Sequence, residues 1–205
     1  MIFIGICGAS GSGKSTLARE LVKNIGAKCL VMNQDAYYFD HPDLTDEERE
    51  NFNYDEPASF DHDLILSDVE SLMAGNKTPR RGYDFSQHRR SDPDEMMEVP
   101  DVLIIEGIHT FHDKRLCDKM LLKIYVQVDP DVCLLRRIKR DMRDRGRNIE
   151  GIYKQYLNTV KPMYEKHIRH YADDADVIVM QGGKNAKIVG ILAGYVQNQL
   201  ANKEQ

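Results

Sequence analysis

The chain has 205 residues, of which 41% are hydrophobic and 30% charged, and this composition suits one folded α/β domain rather than a disordered protein. Its net charge of −5 and its pI of about 5.8 argue against a dedicated nucleic-acid surface, which usually needs a basic domain. The four cysteines are scattered and form no C-x-x-C pair, which favours a reducing, cytoplasmic compartment over a zinc site. No apolar stretch reaches about 18 residues, so we expect no membrane span.

Short apolar runs alternate with segments of helical spacing along most of the chain. In chain order, the pattern predicts a strand at 2–7, a helix at 14–25, a strand at 29–32, a helix at 60–74, strands at 101–105 and 122–128, helices at 130–145 and 149–171, a strand at 176–180 and a helix at 186–200. This alternation is typical of an α/β fold with a parallel sheet and helices on both faces. The carboxyl ends of such strands share one edge, where Gly8, Asp35, Glu106 and Asp129 are expected to gather.

The segment 77–100 departs from this alternation. It is polar and is interrupted by Pro79, Gly82 and Pro93, so we predict a small β-hairpin flap inserted over the strand edge. With this insertion, residues 1–205 are expected to form a single domain.

The loop after the first predicted strand matches the phosphate-binding pattern G-x-x-x-x-G-K-[ST] in full. Its glycines let consecutive backbone N–H groups point at phosphate oxygens, and the helix that follows adds its positive end. Lys14 is expected to reach the β- and γ-phosphates and the Ser15 hydroxyl to bind Mg²⁺. We therefore predict a P-loop site for a nucleoside triphosphate, formed by Gly8, Ala9, Ser10, Gly11, Ser12, Gly13, Lys14, Ser15 and Thr16.

Two carboxylates at predicted strand ends favour phosphoryl transfer over simple nucleotide hydrolysis. Asp35 follows the second strand and suits the orientation and deprotonation of an alcohol acceptor, although it could also be a turn-capping aspartate. Glu106 ends the third strand, at the place for a carboxylate that holds Mg²⁺ or its water. No N-K-x-D guanine motif is present, so an ATPase or a switch protein is the alternative class.

Polar loops with embedded aromatic residues surround these positions. Tyr54, Tyr83 and Phe85 could offer faces to a planar base, Asp55 could accept ribose hydroxyls, and His88 could contact the edge of the base. Each residue alone is more typical of loop packing or of the surface. Their joint occurrence beside a P-loop predicts a nucleoside acceptor.

The densest basic run of this acidic protein lies within residues 136–148. It could be a solvated helix face with i,i+4 ion pairs. The alternative is a helical lid that closes over the triphosphate, with Gly146 as its turning point. Its arginines, Arg140 and Arg145 among them, would then neutralise charge on the transferred phosphoryl group.

Taken together, these segments resemble the uridine kinase (uridine–cytidine kinase) family of P-loop kinases. The order and spacing hold along nearly the whole chain, in the segments 8–15, 33–38, 52–61, 83–89, 106–108, 136–147, 155–162 and 175–178. Three segments depart from the usual family pattern. Glu56 and Ala58 stand where His-Pro-Asp is common, His109-Thr110 replaces an apolar pair, and 181–185, near the expected adenine pocket, lacks the acidic residue often seen there.

The resemblance implies a kinase that phosphorylates the 5′-hydroxyl of a pyrimidine nucleoside, with ATP or GTP as donor and Mg²⁺ as cofactor. It implies Asp35 as base, Lys14, Arg140 and Arg145 as catalytic cations, and Ser15 and Glu106 as metal ligands. Lys184 is expected near the donor base. The implied acceptor contacts are Tyr38, Tyr54, Asp55, Tyr83, Phe85, His88, Arg137, Arg147 and Gln155. Family members are typically tetrameric, so we expect a homo-oligomer that binds small molecules.

Two other hypotheses stay open at this point. A related P-loop kinase could act on a sugar phosphate, pantothenate or nicotinamide riboside, and Arg80, Arg81, Arg89 and Arg90 in the flap would suit a phosphorylated acceptor. A non-catalytic nucleotide-binding regulator is the other hypothesis, although Lys14 and Asp35 are both in place for catalysis.

Overall fold

A computed structural model describes residues 1–85, 87–91 and 95–203 of the chain. Its strands and helices, in chain order, are β1 (Ile2–Gly8), α1 (Lys14–Ile25), β2 (Cys29–Asn33), α2 (Asp46–Asn51), α3 (His62–Met73), β3 (Thr78–Pro79), β4 (Gly82–Asp84), β5 (Arg89–Ser91), β6 (Met96–Met97), β7 (Val102–Gly107), α4 (Lys114–Cys117), β8 (Leu122–Gln127), α5 (Pro130–Asp144), α6 (Ile149–Gln155), α7 (Lys161–Lys166), β9 (Val177–Met180) and α8 (Ala186–Lys203). Short 3₁₀ turns cover Gln34–Tyr37, Pro57–Ser59 and Ile168–Ala172.

Five parallel strands form the central sheet in the order β2-β7-β1-β8-β9. Every residue of β1 and β7 is buried, as expected for apolar, β-branched strands in the middle of a covered parallel sheet. All five strands run in the same direction, so Gly8, Asn33, Gly107 and Gln127 end at one edge. The predicted parallel α/β sheet is therefore confirmed.

The two faces of the sheet are covered by different helices. On one face Ile4 and Ile104 pack with Leu21 of α1 and Val196 of α8. On the other face Phe3, Leu103 and Ile105 pack with Ile65 and Val69 of α3. Alternate residues of one strand point to opposite faces, so β1 and β7 serve both clusters at once.

The predicted flap contains two short antiparallel ladders, β3 with β6 and β4 with β5. Arg90 ties it to the sheet edge, because its guanidinium donates to the Tyr38 carbonyl at 2.6 Å and to Asp61 Oδ2 at 3.0 Å. Ser86 and residues 92–94, Pro93 included, lie outside the described residues.

The helical region predicted at 149–171 is four segments rather than one helix. Between α6 and α7 a π-helical turn covers Tyr156–Val160, and a 3₁₀ turn follows at Ile168–Ala172. The N–H of Lys161 bonds to the Tyr156 carbonyl, five residues back. Pro162, the next residue, has no N–H to continue the ladder, which accounts for a wider turn at this position.

The remaining differences are small. Helix α3 begins at His62 rather than at residue 60, because the Asp61 side chain accepts a hydrogen bond from the Leu64 N–H at 3.0 Å and caps it. All four cysteines are free, and Cys7 and Cys133 are buried. Within the described part of the chain, no helix has both the length and the apolar character needed to cross a bilayer.

Candidate active site: a phosphate cleft beside an acceptor pocket

The P-loop connects β1 to α1 through a turn that only glycine accommodates easily. Gly11 has a φ of 85° and Gly13 a φ of 100°. A Cβ on Gly11 would also overlap the carbonyl oxygen of Cys133 on α5. The glycine spacing seen in the sequence is thus required both by the backbone conformation and by the close approach of α5.

A cleft of about 1400 Å³ opens over the P-loop and the first turn of α1. Its lining includes most of the predicted donor-binding residues, namely Ser10, Gly11, Gly13, Lys14, Ser15, Thr16 and Lys184, together with Glu106. The structure places the others nearby but outside this lining: Ala9 borders a neighbouring apolar cavity, Ser12 is fully buried, and a Cβ on Gly8 would meet the Val126 carbonyl.

Two polar contacts order this cleft. Lys14 is mostly buried, and its Nζ donates to the Ala9 carbonyl at 3.0 Å across the loop. The Ser15 hydroxyl donates to Glu106 Oε1 at 2.8 Å, and burial raises the pKa of Glu106. A hydroxyl beside a buried carboxylate is an oxygen donor set of the kind Mg²⁺ prefers, so both residues fit the predicted metal site.

A second cavity, of about 480 Å³, adjoins the cleft on the flap side. All the side chains predicted to contact the acceptor line it: Tyr38, Tyr54, Asp55, Tyr83, Phe85, His88, Arg137, Arg147 and Gln155. They come from the flap, from the loops after β2, and from α5 and α6 with the turn between them. We call this cavity the acceptor pocket.

Aromatic rings form one wall of the acceptor pocket. His88 stacks on Tyr54 with ring centroids 4.7 Å apart and an interplanar angle of 17°. Tyr38 stacks on Phe60 at 4.2 Å behind them. His88 holds a φ of 51°, and its buried Nδ1 has no hydrogen-bond partner among the described residues. A strained residue with an unpaired ring nitrogen in a pocket is typical of a ligand contact.

The opposite side of the pocket is polar. Asp55 is only 5% exposed, and Thr159 Oγ1 lies 3.4 Å from its Oδ2. Burial raises the pKa of Asp55, against the opposing effect of Arg137. Gln155 Oε1 accepts hydrogen bonds from Arg137 at 2.9 Å and from Arg147 at 2.5 Å. Carboxylate and amide oxygens beside cations suit a ligand with hydroxyl groups.

The basic run on α5 and the loop after it surrounds one buried carboxylate. Asp141 is 0% exposed and lies 2.8 Å from Arg140, 3.5 Å from Arg137 and 3.6 Å from Arg145. These arginines lower the pKa of Asp141, although burial opposes them. The Arg145 guanidinium also lies 3.8 Å from the centroid of the Phe85 ring in the flap, and burial lowers its pKa to about 10.

Asp35 lies where the cleft and the pocket meet. It lines both cavities, as do Arg140 and Arg145. Its backbone N–H bonds to Asn33 Oδ1 at 2.9 Å, which fixes the 3₁₀ turn after β2. A half-buried carboxylate flanked by cations between two cavities can hold an alcohol facing a phosphate.

Several residues at the site had no predicted role. Arg136 lines the cleft and approaches the Gly11 and Ser12 carbonyls at 3.4 Å, and it belongs to the basic run that was visible in the sequence. Thr159 carries no sequence signal of its own, and Asp141 was visible only as a partner of arginines at i,i+4 spacing. Their contacts depend on the packing of α5 and of the π-helical turn, which the sequence pattern does not reveal.

A phosphate-binding loop ahead of a helix, a carboxylate at a neighbouring strand end and a second cavity beside them define a P-loop phosphotransferase. The sequence model described as "Phosphoribulokinase / Uridine kinase family" matches residues 3–187, and the chain belongs to that family.

Individual relatives match nearly the whole chain. It is 40% identical over 204 residues to a uridine kinase of Clostridium perfringens, covering 99% of this chain and 98% of that protein. It is 41% identical over 201 residues to a uridine kinase of Staphylococcus haemolyticus, covering 98% and 97%. The solved structure of phosphoribulokinase from Rhodobacter spheroides superposes with a TM-score of 0.64 at 16% identity, covering 90% of this chain and 73% of that one, and it supports the fold alone.

Proposed function

We propose that this protein is a nucleoside kinase that transfers the γ-phosphate of ATP to the 5′-hydroxyl of a pyrimidine nucleoside, uridine or cytidine, in pyrimidine salvage. The position of Asp35 carries the proposal, because this carboxylate lines the phosphate cleft and the acceptor pocket together. The names of the relatives at 40% and 41% identity support uridine as an acceptor.

In this proposal Asp35 accepts the proton of the 5′-hydroxyl as the oxygen bonds to phosphorus. Arg140 and Arg145 line both cavities and supply positive charge where the transferred phosphoryl group passes. Lys14 and the P-loop N–H groups hold the triphosphate, and Lys184 lines the same cleft.

The acceptor pocket is assigned by the chemistry of its walls. The stacked pair Tyr54 and His88 packs against the pyrimidine, and Nδ1 of His88 contacts its edge. Asp55 and Arg137 bind the ribose hydroxyls. The remaining lining residues complete the pocket: Tyr38, Tyr83, Phe85, Arg147 and Gln155.

Ser15 and Glu106 are the residues that would hold Mg²⁺, which when bound neutralises charge on the phosphate oxygens. Residues 136–148 act as a lid, and the contact between Arg145 and Phe85 is where it meets the flap. The family resemblance further supports a homo-oligomer, a tetramer, working in the cytoplasm as one domain per chain.

The flap arginines do not favour a phosphorylated acceptor. Arg80 pairs with Glu95 at 3.0 Å, Arg81 with Asp68 at 3.1 Å and Arg90 with Asp61 at 3.0 Å. None of these arginines, nor Arg89, is among the described residues that line the acceptor pocket.

An ADP-release assay with Mg·ATP tests the proposal. Reactions contain no acceptor, uridine, cytidine, adenosine, nicotinamide riboside, pantothenate or ribulose 5-phosphate. We expect turnover with uridine or cytidine alone. Turnover with another acceptor would overturn the assignment of the acceptor pocket, and ADP release without an acceptor would indicate an ATPase.

A further inference from the structure

A chain of hydrogen bonds runs behind the acceptor pocket and ends on the main chain of Asp55. His109 lies just beyond β7 and is 0% exposed. Its Nε2 is 2.6 Å from the Asp55 carbonyl oxygen, and its Nδ1 is 3.0 Å from the Tyr171 hydroxyl. The same hydroxyl is 3.2 Å from Nδ1 of His112. Three segments distant in sequence thus meet at one buried imidazole.

Chemistry fixes the direction of these bonds. A carbonyl oxygen only accepts, so Nε2–H of His109 must donate to Asp55. In the neutral ring Nδ1 is then an acceptor, and the Tyr171 hydroxyl must donate to it. The Tyr171 oxygen is left to accept from Nδ1–H of His112. Burial lowers the pKa of His109 to about 3, so its ring is neutral at any ordinary pH.

The other contacts of Asp55 are weaker. Its backbone N–H bonds to Asn53 Oδ1 at 3.2 Å, within the same turn. Its carboxylate meets Thr159 at 3.4 Å. The bond from His109 is the shortest of the three and anchors the loop to the central sheet.

The far end of the relay, His112, is exposed and lies among other ionisable side chains. The His62 ring lies 5.0 Å from that of His112, and the His167 ring lies 6.3 Å from it. Glu56 is 3.7 Å from Nε2 of His167. Among the described residues, His109 is the member of the relay that is hydrogen-bonded to the loop that carries Asp55. His167 and His62 contact the same loop at other points, at Glu56 and at the Pro57 carbonyl.

We propose that His109 is a positioning residue for the acceptor, and that the relay of His112, Tyr171 and His109 holds the Asp55 carboxylate in place for the ribose hydroxyls. The inference rests on the proposed function, since it needs a ribose in the acceptor pocket. It adds a determinant that lies outside the pocket lining and acts through its hydrogen bond to Asp55.

The experiment compares His109→Leu, His109→Gln and Tyr171→Phe with wild type. KM and kcat are measured for uridine, for 2′,3′-dideoxyuridine, which keeps the 5′-hydroxyl but lacks both ring hydroxyls, and for ATP. His109→Leu removes both hydrogen bonds and should raise KM for uridine about tenfold, with little change for the dideoxynucleoside or ATP.

Rescue separates positioning from packing. The amide of His109→Gln can still donate to the Asp55 carbonyl, so KM for uridine should return to within about threefold of wild type. Tyr171→Phe keeps the His109 ring but removes the hydroxyl that bonds to its Nδ1. KM for uridine should then lie between the values of wild type and His109→Leu. His170→Gln, an exposed neighbour of Tyr171, is the matched control and should change nothing.

The outcomes are distinct. If wild type phosphorylates uridine and both His109→Leu and Tyr171→Phe keep the wild-type preference for uridine over the dideoxynucleoside, the relay has no positioning role. Tyr171→Phe decides the matter if His109→Leu does not fold. If wild type phosphorylates neither nucleoside, the proposed function fails before the relay is tested.

Discussion

The phosphate cleft and the acceptor pocket lie side by side but are built in different ways. In the cleft, nearly all the predicted phosphate-binding residues lie on one continuous loop and the first turn of the helix after it, and the shape of that loop depends on glycines with positive φ. The rest of the cleft lining comes from other segments. The acceptor pocket takes side chains from segments as distant as Tyr38 and Gln155. A site formed by the backbone of one loop is determined by local sequence. A site formed by side chains from distant segments is determined by tertiary packing.

This difference suggests which substitutions impair each region. The cleft should be sensitive to added bulk at its glycines and tolerant of distant changes. The pocket should lose affinity gradually as individual side chains are removed, with little effect on the donor. Asp35 belongs to both regions, so its loss should be the most damaging.

Asp35→Asn should lower kcat by roughly 10²–10⁴, because an amide cannot take the proton of the 5′-hydroxyl. Binding of ATP, measured by calorimetry, should be nearly unchanged, since Asp35 lies where the cleft meets the pocket and is not part of the P-loop. A kcat close to wild type would remove Asp35 from the chemistry.

Gly11→Ala should lower kcat/KM for ATP by about 10²-fold, because the added methyl group overlaps the Cys133 carbonyl and displaces the loop. Gly26→Ala is the matched control. Gly26 also has a positive φ, of 74°, but no atom lies within 4 Å of the added Cβ. It should cost about 1 kcal/mol of stability in thermal unfolding and leave the kinetics intact. Equal kinetic defects in both variants would contradict the steric account.

His88→Ala should raise KM for uridine about tenfold and leave KM for ATP unchanged. The substitution removes the ring stacked on Tyr54 and the unpaired Nδ1. His170→Ala, which is exposed, serves as the control and should leave both values unchanged. A parallel rise in both KM values for His88→Ala would mean that His88 supports the fold.

The smallest effect is the change in KM for uridine that we expect when the pH is lowered. Asp55 must be ionised to accept ribose hydroxyls, and its pKa is raised by burial above the ordinary value of 3.8. KM for uridine should therefore rise as the pH falls, and the rise should begin at a higher pH than it would for an exposed aspartate. KM should be about twice its plateau value when the pH equals the raised pKa of Asp55. Asp55→Asn should raise KM at all pH values and abolish this dependence. If Asp55→Asn shows the same rise in KM at low pH as wild type, the rise is due to another titratable group.

The sequence was enough to predict the sheet, the P-loop motif and which side chains gather around the second cavity, and the roles of those side chains stay predictions. Buried parallel strands are recognisable as short apolar runs, and a P-loop is recognisable because its glycines are required by the backbone itself. Asp35 and Glu106 were predictable because strand ends of a parallel sheet share an edge. Tyr38, Arg137, Arg147 and Gln155 were expected only from the family resemblance.

Other features could not be read from the sequence. The π-helical turn at Tyr156–Val160 depends on how a continuous helical pattern adapts to Pro162. The i,i+4 spacing of Asp141 from Arg137 and Arg145 is visible in the sequence, but the complete burial of Asp141 among these arginines depends on tertiary packing. His109 follows an apolar strand, and no pattern in the sequence indicates that its ring is hydrogen-bonded to Asp55.

The most direct test of the central claim is the identity of the product. The enzyme is incubated with Mg·ATP and either uridine or 5′-deoxyuridine, and ADP and nucleotides are quantified by chromatography. The proposed reaction predicts one 5′-UMP for each ADP from uridine, and no ADP from 5′-deoxyuridine, which instead competes with uridine. ADP formation with 5′-deoxyuridine, or phosphorylation of uridine at another hydroxyl, would contradict the placement of the 5′-hydroxyl at Asp35.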